Sequence, residues 1–344
     1  MRAVVTGGSG FIGSHVVDAL VAAGHEVVVL DRAETVLPAA VDHVRADVCD
    51  AATLDRVLPG ADVVLHQAAK VGLGVDAQDM PDYADTNVTG TATLLAAMHR
   101  AGVSRMVLAS SMVVYGEGRY RCERHGLVRP APRTRADLDA GRFEPRCPQC
   151  RTGLQWAPVP ESAPLEPCNT YAATKVAQEH LVRAWATMTG GTAIALRYHN
   201  VYGPRMPRNT PYSGVAAIFR SALERRESPT VYEDGAQLRD FVHVRDVAAA
   251  NLAAVIRLAV LDAGDVRAVN VASGEPRSVG DMAAALAAEY GGPPPRTTGS
   301  WRAGDVRHIV ASPAQAQVVL GFSARVRFAD GMRELATPPL EGAR

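Results

Sequence analysis

The stretch Arg2–Asp31 constrains the fold of this chain more than any other. Arg2-Ala3-Val4-Val5-Thr6 is a short apolar run, as expected of a parallel strand buried on both faces. It meets Gly7-Gly8-Ser9-Gly10-Phe11-Ile12-Gly13, after which the pattern predicts a helix over Ser14–Ala23, stopped by Gly24. A second buried strand, Glu26–Leu30, ends at Asp31. A lone glycine pattern is as readily a structural turn. Strand, glycine turn, helix, strand and acid in this order make an anion site. The glycines allow a tight turn and let backbone N–H groups approach a pyrophosphate on the helix N-terminus, with Gly7, Gly10, Phe11, Ile12 and Gly13 expected to line the cofactor. Asp31 would accept from adenosine ribose hydroxyls and repel a 2′-phosphate, favouring NAD over NADP; Arg32 beside it tempers that preference.

The alternation continues. His43–Ala46, Ala61–His66, Arg105–Ser110, Ala193–Arg197 and Val269–Val271 read as strands, with helices over Thr53–Leu58 and Thr91–Arg100. This is the pattern of an α/β, doubly wound parallel sheet, with ligands at the carboxyl ends of its strands. Asp47, Val48, Ala68, Ala69, Lys70 and Asn87 follow strand ends or face them, and are expected to line the cofactor. His66 is read as a packed strand-end histidine.

Composition excludes some partners. Lys+Arg and Asp+Glu are 36 each, so no global charge argues for nucleic acid or an anionic membrane. The Ala-rich run Ala248–Leu261 is too short and too interrupted to span a bilayer, and the N-terminus turns glycine-rich before a signal core could form. A cytoplasmic protein is expected, in which the five cysteines are thiols or metal ligands rather than disulfides.

The chain has only two lysines, Lys70 and Lys175, against 34 arginines. Lys175 lies four residues after Tyr171, on the same face of a helix. An ammonium there would lower the phenol pKa and let Tyr171 act as base and acid. Tyr-x-x-x-Lys arises by chance about 5% of the time in such a composition, so the spacing gains weight from the N-terminal unit. Ser111 follows a strand end, where reactive groups are exposed.

With these residues in hand, the chain resembles the extended short-chain dehydrogenase/reductases of the nucleotide-sugar epimerase/dehydratase group. The likeness covers nearly the whole chain. It rests on Thr6–His15, Ser110-Ser111 with Val114-Tyr115-Gly116, Tyr171–Lys175, Leu196–Pro204, Arg239–Val244 and Arg302-Ala303-Gly304-Asp305. The resemblance implies a Rossmann domain with a smaller C-terminal domain, tightly bound NAD, a nucleotide-diphosphate sugar as substrate, and a homodimer. It gives Tyr171 the proton of the sugar 4-hydroxyl, Ser111 a hydrogen bond to the same oxygen, and Lys175 the nicotinamide ribose. It adds Tyr198 to the cofactor site, sets Asn200 on a substrate phosphate, and makes Arg239 and Arg302 a diphosphate clamp, work that suits a forked guanidinium. Asp240 and Asp246 are read as structural, holding arginines or capping a helix. Family dehydratases carry an Asp-Glu pair after the serine position. Met112-Val113 stand there in this chain, which favours 4-epimerisation over water elimination.

Ser111 and Tyr171 are 60 positions apart, a few tens more than in the group this chain resembles. The excess holds Cys122-Glu123-Arg124-His125 and, 21 residues on, Cys147-Pro148-Gln149-Cys150. Two ligand pairs, each with a two-residue gap, have structural-zinc spacing, and four protein ligands leave no open position. Incidental thiols in a loop, or disulfides, are the alternatives. The arginines Arg119, Arg121, Arg124, Arg129, Arg133 and Arg135 are read as a solvated face rather than a nucleic-acid surface. Cys49 and Cys168 are expected to be free thiols, and the tail from Thr337 to fray.

The expected organisation is a Rossmann domain over 1–116 and 158–200 with parts of 237–272, a zinc-ribbon-like insert over 117–157, and a substrate domain over 201–236 and 273–336. The finer likeness, carried by the insert and by Ser111–Gly118, is to dTDP-L-rhamnose 4-epimerases. UDP-glucose or UDP-glucuronate 4-epimerase, a 4-ketosugar reductase and a non-catalytic NAD-binding regulator are the alternatives.

Overall fold

The computed structural model describes residues 1–33, 38–72, 77–207, 214–302 and 304–337. Ala303 of the Arg302–Asp305 motif and the tail beyond Thr337 lie outside them. A seven-stranded sheet forms the centre, ordered Val266–Val271, Thr192–Tyr198, Arg105–Ser111, Val63–His66, Arg2–Thr6, Glu26–Asp31, Val41–Arg45. Every pairing in it is parallel. Strand order reverses between Arg2–Thr6 and Val63–His66, and the crevice at such a switch point is where ligands bind.

Both faces are covered, which is why the central strands read as continuous apolar runs. Helices Phe11–Ala22, Val244–Leu258 and Ala314–Leu320 pack Val16, Leu20, Val247, Ala254 and Ala316 on one side. Helices Ala51–Val57, Gly90–Arg100 and Thr170–Thr189 pack Leu54, Leu94, Met98, Val182 and Trp185 on the other. The first helix starts at Phe11, three residues before the sequence predicts, because Gly10 is its N-cap and the glycine turn runs straight into it.

After Tyr198 the alternation breaks. Asn200–Tyr202, Leu238–His243 and Pro276–Ser278 make a small mixed sheet, and Val215–Glu224, Val279–Tyr290 and Phe328–Ala336 gather a separate core around Phe219, Phe241, Met282 and Met332. The insert folds as a three-stranded antiparallel ribbon of Gly126–Val128, Arg119–Cys122 and Gln155–Ala157. Its buried apolar cluster is Tyr120, Cys122, Cys147 and Leu154, with Val128 and Cys150 packed against it. No helix among the described residues is long and apolar enough to cross a membrane.

Candidate active site and Cys/His centre

The dinucleotide cradle is built by close backbone approach at the switch point. Gly7 has φ +70°, and a Cβ there would lie 2.5 Å from the Ala68 backbone nitrogen. A Cβ on Gly13 would lie 2.0 Å from the Gly7 carbonyl oxygen. These two positions admit only glycine, for steric reasons the motif alone does not reveal. No side chain caps the helix at Gly10, so its first-turn N–H groups remain for an anion. The buried Ser9 hydroxyl has no partner among the described residues. Asp31 accepts from Ser9 N at 3.0 Å and Ala33 N at 3.0 Å, which fixes its carboxylate at the strand end with lone pairs left for ribose hydroxyls. This donor set fits NAD.

The other expected cofactor residues divide. Arg32 reaches Asp47 at 3.3 Å, Val48 is buried, and Asn87 grips the Lys70 backbone through both N–H and C=O. Lys70 itself pairs with Asp82 at 2.7 Å. The Tyr198 hydroxyl is taken by Gln67 and Asn251, so its side chain is turned into the core and only its main chain stands at the strand end. His66 is a packed histidine: it sits between Thr6 and Thr91 hydroxyls at 2.7 and 2.9 Å, and burial pushes its pKa down to about 3.

Ser111 closes its strand, and Tyr171 lies in the first turn of a helix capped by Asn169, whose side chain accepts from Ala172 N at 2.9 Å. The Ser111 hydroxyl acts on the Tyr171 phenol in the direction that lowers its pKa. Lys175 Nζ lies 5.7 Å from the Tyr171 ring and donates to Ala109 O at 2.8 Å. The expected lowering of the Tyr171 pKa is not seen in the chain alone. Burial pushes the phenol up to about 12, with the Ser111 hydrogen bond opposing, and the same burial brings Lys175 down to about 7. Desolvation outweighs a cation that is held by a carbonyl rather than by the phenol.

Tyr171 and Lys175 prove to be two of three residues on one helical face. Glu179, four residues further, accepts from Ser110 Oγ and from Arg197 Nε and Nη2 at 2.9 and 2.7 Å. Arg197 donates on to the Tyr115 hydroxyl at 2.8 Å, which donates to Asn270 Oδ1 at 2.8 Å. This chain ties the helix that carries Tyr171 and Lys175 to the strand that carries Ser111. The i, i+4, i+8 spacing of Tyr171, Lys175 and Glu179 was available in the sequence; the partner Arg197 was not.

At the substrate end, Asn200 is half-buried and its Oδ1 has no partner among the described residues, as suits a ligand contact. Arg302 is exposed, with its guanidinium 4.8 Å over the Tyr232 ring. Arg239 donates to the carbonyls of Leu238, Arg307 and Val306 at 2.8, 2.9 and 2.7 Å. It therefore braces the segment that bears Arg302. Asp240 and Asp246 are structural, though neither holds an arginine side chain or caps a helix. Asp240 accepts from Ser273 and Gly274, and Asp246 from the backbone N–H of Arg325 and Val326, because carboxylates buried at chain crossings satisfy loop N–H groups.

The two knuckles of the insert converge. Ligand atoms of Cys122, His125, Cys147 and Cys150 all lie within 4.8 Å of one another. Cys122 Sγ is 3.6 Å from Cys150 Sγ and 3.5 Å from His125 Nδ1, and Cys147 Sγ is 3.4 Å from His125 Nδ1. Tetrahedral zinc with its usual bond lengths sets S···S near ~3.8 Å and S···N near ~3.6 Å. Burial opposes ionisation of Cys122, but backbone hydrogen bonds at Arg124 and His125 and the neighbouring Cys150 and His125 side chains outweigh it and lower its pKa to about 6. The arginines do not form one solvated face: Arg133 is buried, its side chain 5% exposed, and pairs with Glu233 at 2.7 Å.

Residues 3–135 and 153–272 match the NAD dependent epimerase/dehydratase family, and the break between them spans Cys147 and Cys150. The chain is 35% identical to a dTDP-L-rhamnose 4-epimerase of Burkholderia thailandensis, over 98% of this chain and 94% of that one. It is 29% identical to a putative UDP-glucose 4-epimerase of Methanocaldococcus jannaschii, covering 96% of each. Among solved structures, it is similar to the UDP-glucose 4-epimerase of Thermus thermophilus in complex with NAD, with a TM-score of 0.77, 30% identity and 98% of each chain covered. It is also similar to MoeE5 in complex with UDP-glucuronic acid and NAD, with a TM-score of 0.76, 33% identity and 97% of each chain covered.

Proposed function

This chain belongs to the NAD dependent epimerase/dehydratase family, and on that premise we propose how its residues divide the work. It is an NAD-dependent nucleotide-sugar 4-epimerase. The observation that carries the reading is the grouping of Ser111, Tyr171 and Lys175 at the end of the dinucleotide crevice, followed by Met112-Val113. No acid–base pair stands after Ser111 to eliminate water.

Bound NAD supplies the hydride acceptor and donor at sugar carbon 4. Tyr171 takes the 4-hydroxyl proton and later returns it, while Ser111 holds the same oxygen in line. Lys175, held on the Ala109 carbonyl, stands beside the phenol, and the chain Glu179–Arg197–Tyr115 fixes the helix that presents both. Asn200 and Arg302 hold the nucleotide diphosphate. The 4-keto sugar then turns in the pocket so that hydride returns to its other face, while Tyr171 returns the proton to the 4-oxygen.

Within this activity we assign dTDP-L-rhamnose as the substrate, supported by the likeness to the Burkholderia protein over nearly the full length of both chains. The test is to incubate the NAD-loaded enzyme with dTDP-L-rhamnose, UDP-glucose and UDP-glucuronate, following carbon 4 by NMR. Inversion of the dTDP sugar without net NADH is expected. Inversion of a UDP sugar alone would move the assignment to that nucleotide, and stoichiometric NADH accumulation from a 4-hydroxy sugar, the reverse of 4-ketosugar reduction, would make the protein a reductase.

The insert is proposed to hold structural zinc on Cys122, His125, Cys147 and Cys150. Support comes from the convergence of the four donor atoms within 4.8 Å of one another and from the small apolar cluster of the ribbon. Protein purified without chelators is expected to contain about one zinc per chain, and Cys150→Ser less than about half of that. Wild type below about half an equivalent would end the proposal.

A further inference from the structure

Segment Trp301–Ala311 carries Arg302, yet its described residues form no helix and only single-residue bridges at Ile309 and Ala311. Its shape is set by what grips it: Arg239, Leu238, Glu233 and Asp234 of the substrate lobe hold Val306–Ile309, and the insert supplies a second set of contacts. Asp139 accepts from Trp301 Nε1 at 3.0 Å, and the Arg135 guanidinium lies 5.7 Å over the same ring. Arg133 donates to Asp305 O at 2.6 Å while its other nitrogen holds buried Glu233. Glu144 accepts from Arg307 Nε and Nη2 at 2.8 and 2.6 Å, and meets His308 Nε2 at 2.9 Å. The Tyr120 hydroxyl accepts from His308 N at 3.1 Å. Gly118 packs so tightly that a Cβ would lie 2.5 Å from His308 O.

This second set is only as firm as the ribbon that makes it, and two of the four buried residues in the ribbon's apolar cluster are Cys122 and Cys147. We propose that the Cys/His insert is the positioning element of the nucleotide end of the site: the metal-ordered ribbon fixes Trp301–Ile309, and through it Arg302, so that it sets nucleotide-sugar affinity without entering hydride chemistry. This rests on the zinc reading above. Metal occupancy is then coupled to substrate binding across the seam between the ribbon and the substrate lobe.

Asp139 and Glu144 are exposed and lie outside the four ligands, so Asp139→Ala/Glu144→Ala loosens the grip while leaving fold and metal site in place. The double variant is expected to raise KM about tenfold with kcat within about twofold, and to weaken calorimetric binding of dTDP and UDP to the NAD-loaded enzyme by the same factor. Zinc and NAD content should equal wild type. A KM within about twofold of wild type would overturn the proposal, as would a parallel fall in kcat, NAD content and stability, which is the mark of a merely structural role. The second arm strips zinc from the full chain with dipicolinate. Loss of zinc with about tenfold weaker dTDP or UDP binding, restored by added zinc, supports the coupling, and loss of zinc with unchanged binding overturns it. Protein that carries no zinc as purified would sink the zinc reading instead. The Asp139/Glu144 result then still reports on the grip by itself.

Discussion

Tyr171→Phe is expected to lower kcat about 10³-fold, with NAD still bound and KM within a few-fold of wild type. The substitution removes only the phenol oxygen. The ring keeps its place beside Tyr83, with centroids 6.3 Å apart, and the helix keeps its Asn169 cap and its Glu179–Arg197 anchor. What is lost is the group proposed to take and return the 4-hydroxyl proton, on the helix that also carries Lys175. Single-turnover measurement of the NAD absorbance change separates the chemical step from binding. Retention of more than about a tenth of wild-type kcat would mean that the base lies elsewhere.

Gly7→Ala is expected to empty the cofactor site and to destabilise the fold by about 2–4 kcal/mol. Two penalties coincide there. The backbone is left-handed, at φ +70°, and the new methyl would lie 2.5–2.8 Å from backbone atoms of Gln67 and Ala68 in the neighbouring strand end, which cannot swing aside as a side chain could. Gly24→Ala is the control. It has φ +77° with nothing within 4 Å, so it should cost only about 1 kcal/mol and keep its NAD. Cofactor released on denaturation, together with urea unfolding, measures both variants. Gly7→Ala with wild-type NAD content would show that the crevice can open at the switch point.

Much of this was legible in one dimension. Buried parallel strands read as apolar runs because both faces of the sheet are covered, and the glycine turn read as a cradle because it sat between a strand and a helix. Tyr171 and Lys175 declared themselves by a spacing of four, and the Cys/His cluster by two short gaps. The reading of Tyr171 shows where such inference stops. Proximity to Lys175 predicted a lowered pKa, but the magnitude of desolvation at a buried phenol is a property of the enclosure, and it carried the chain alone the other way, to about 12.

The sequence by itself determined the doubly wound sheet, the dinucleotide cradle, the Ser111–Tyr171–Lys175 trio and the Cys/His set, because each is written within one element or at one turn. Only the tertiary structure decided that Glu179 answers to Arg197, that Arg239 braces carbonyls of Val306 and Arg307, and that Arg133 is buried against Glu233. It alone showed that the insert grips the segment bearing Arg302, through Asp139, Arg133 and Glu144. These partners lie on separate stretches of the chain, with no periodicity linking them. An arginine looks the same in a sequence whether it is solvated or paired. Burial, which makes the pairing obligatory, exists only once the lobes have closed on each other.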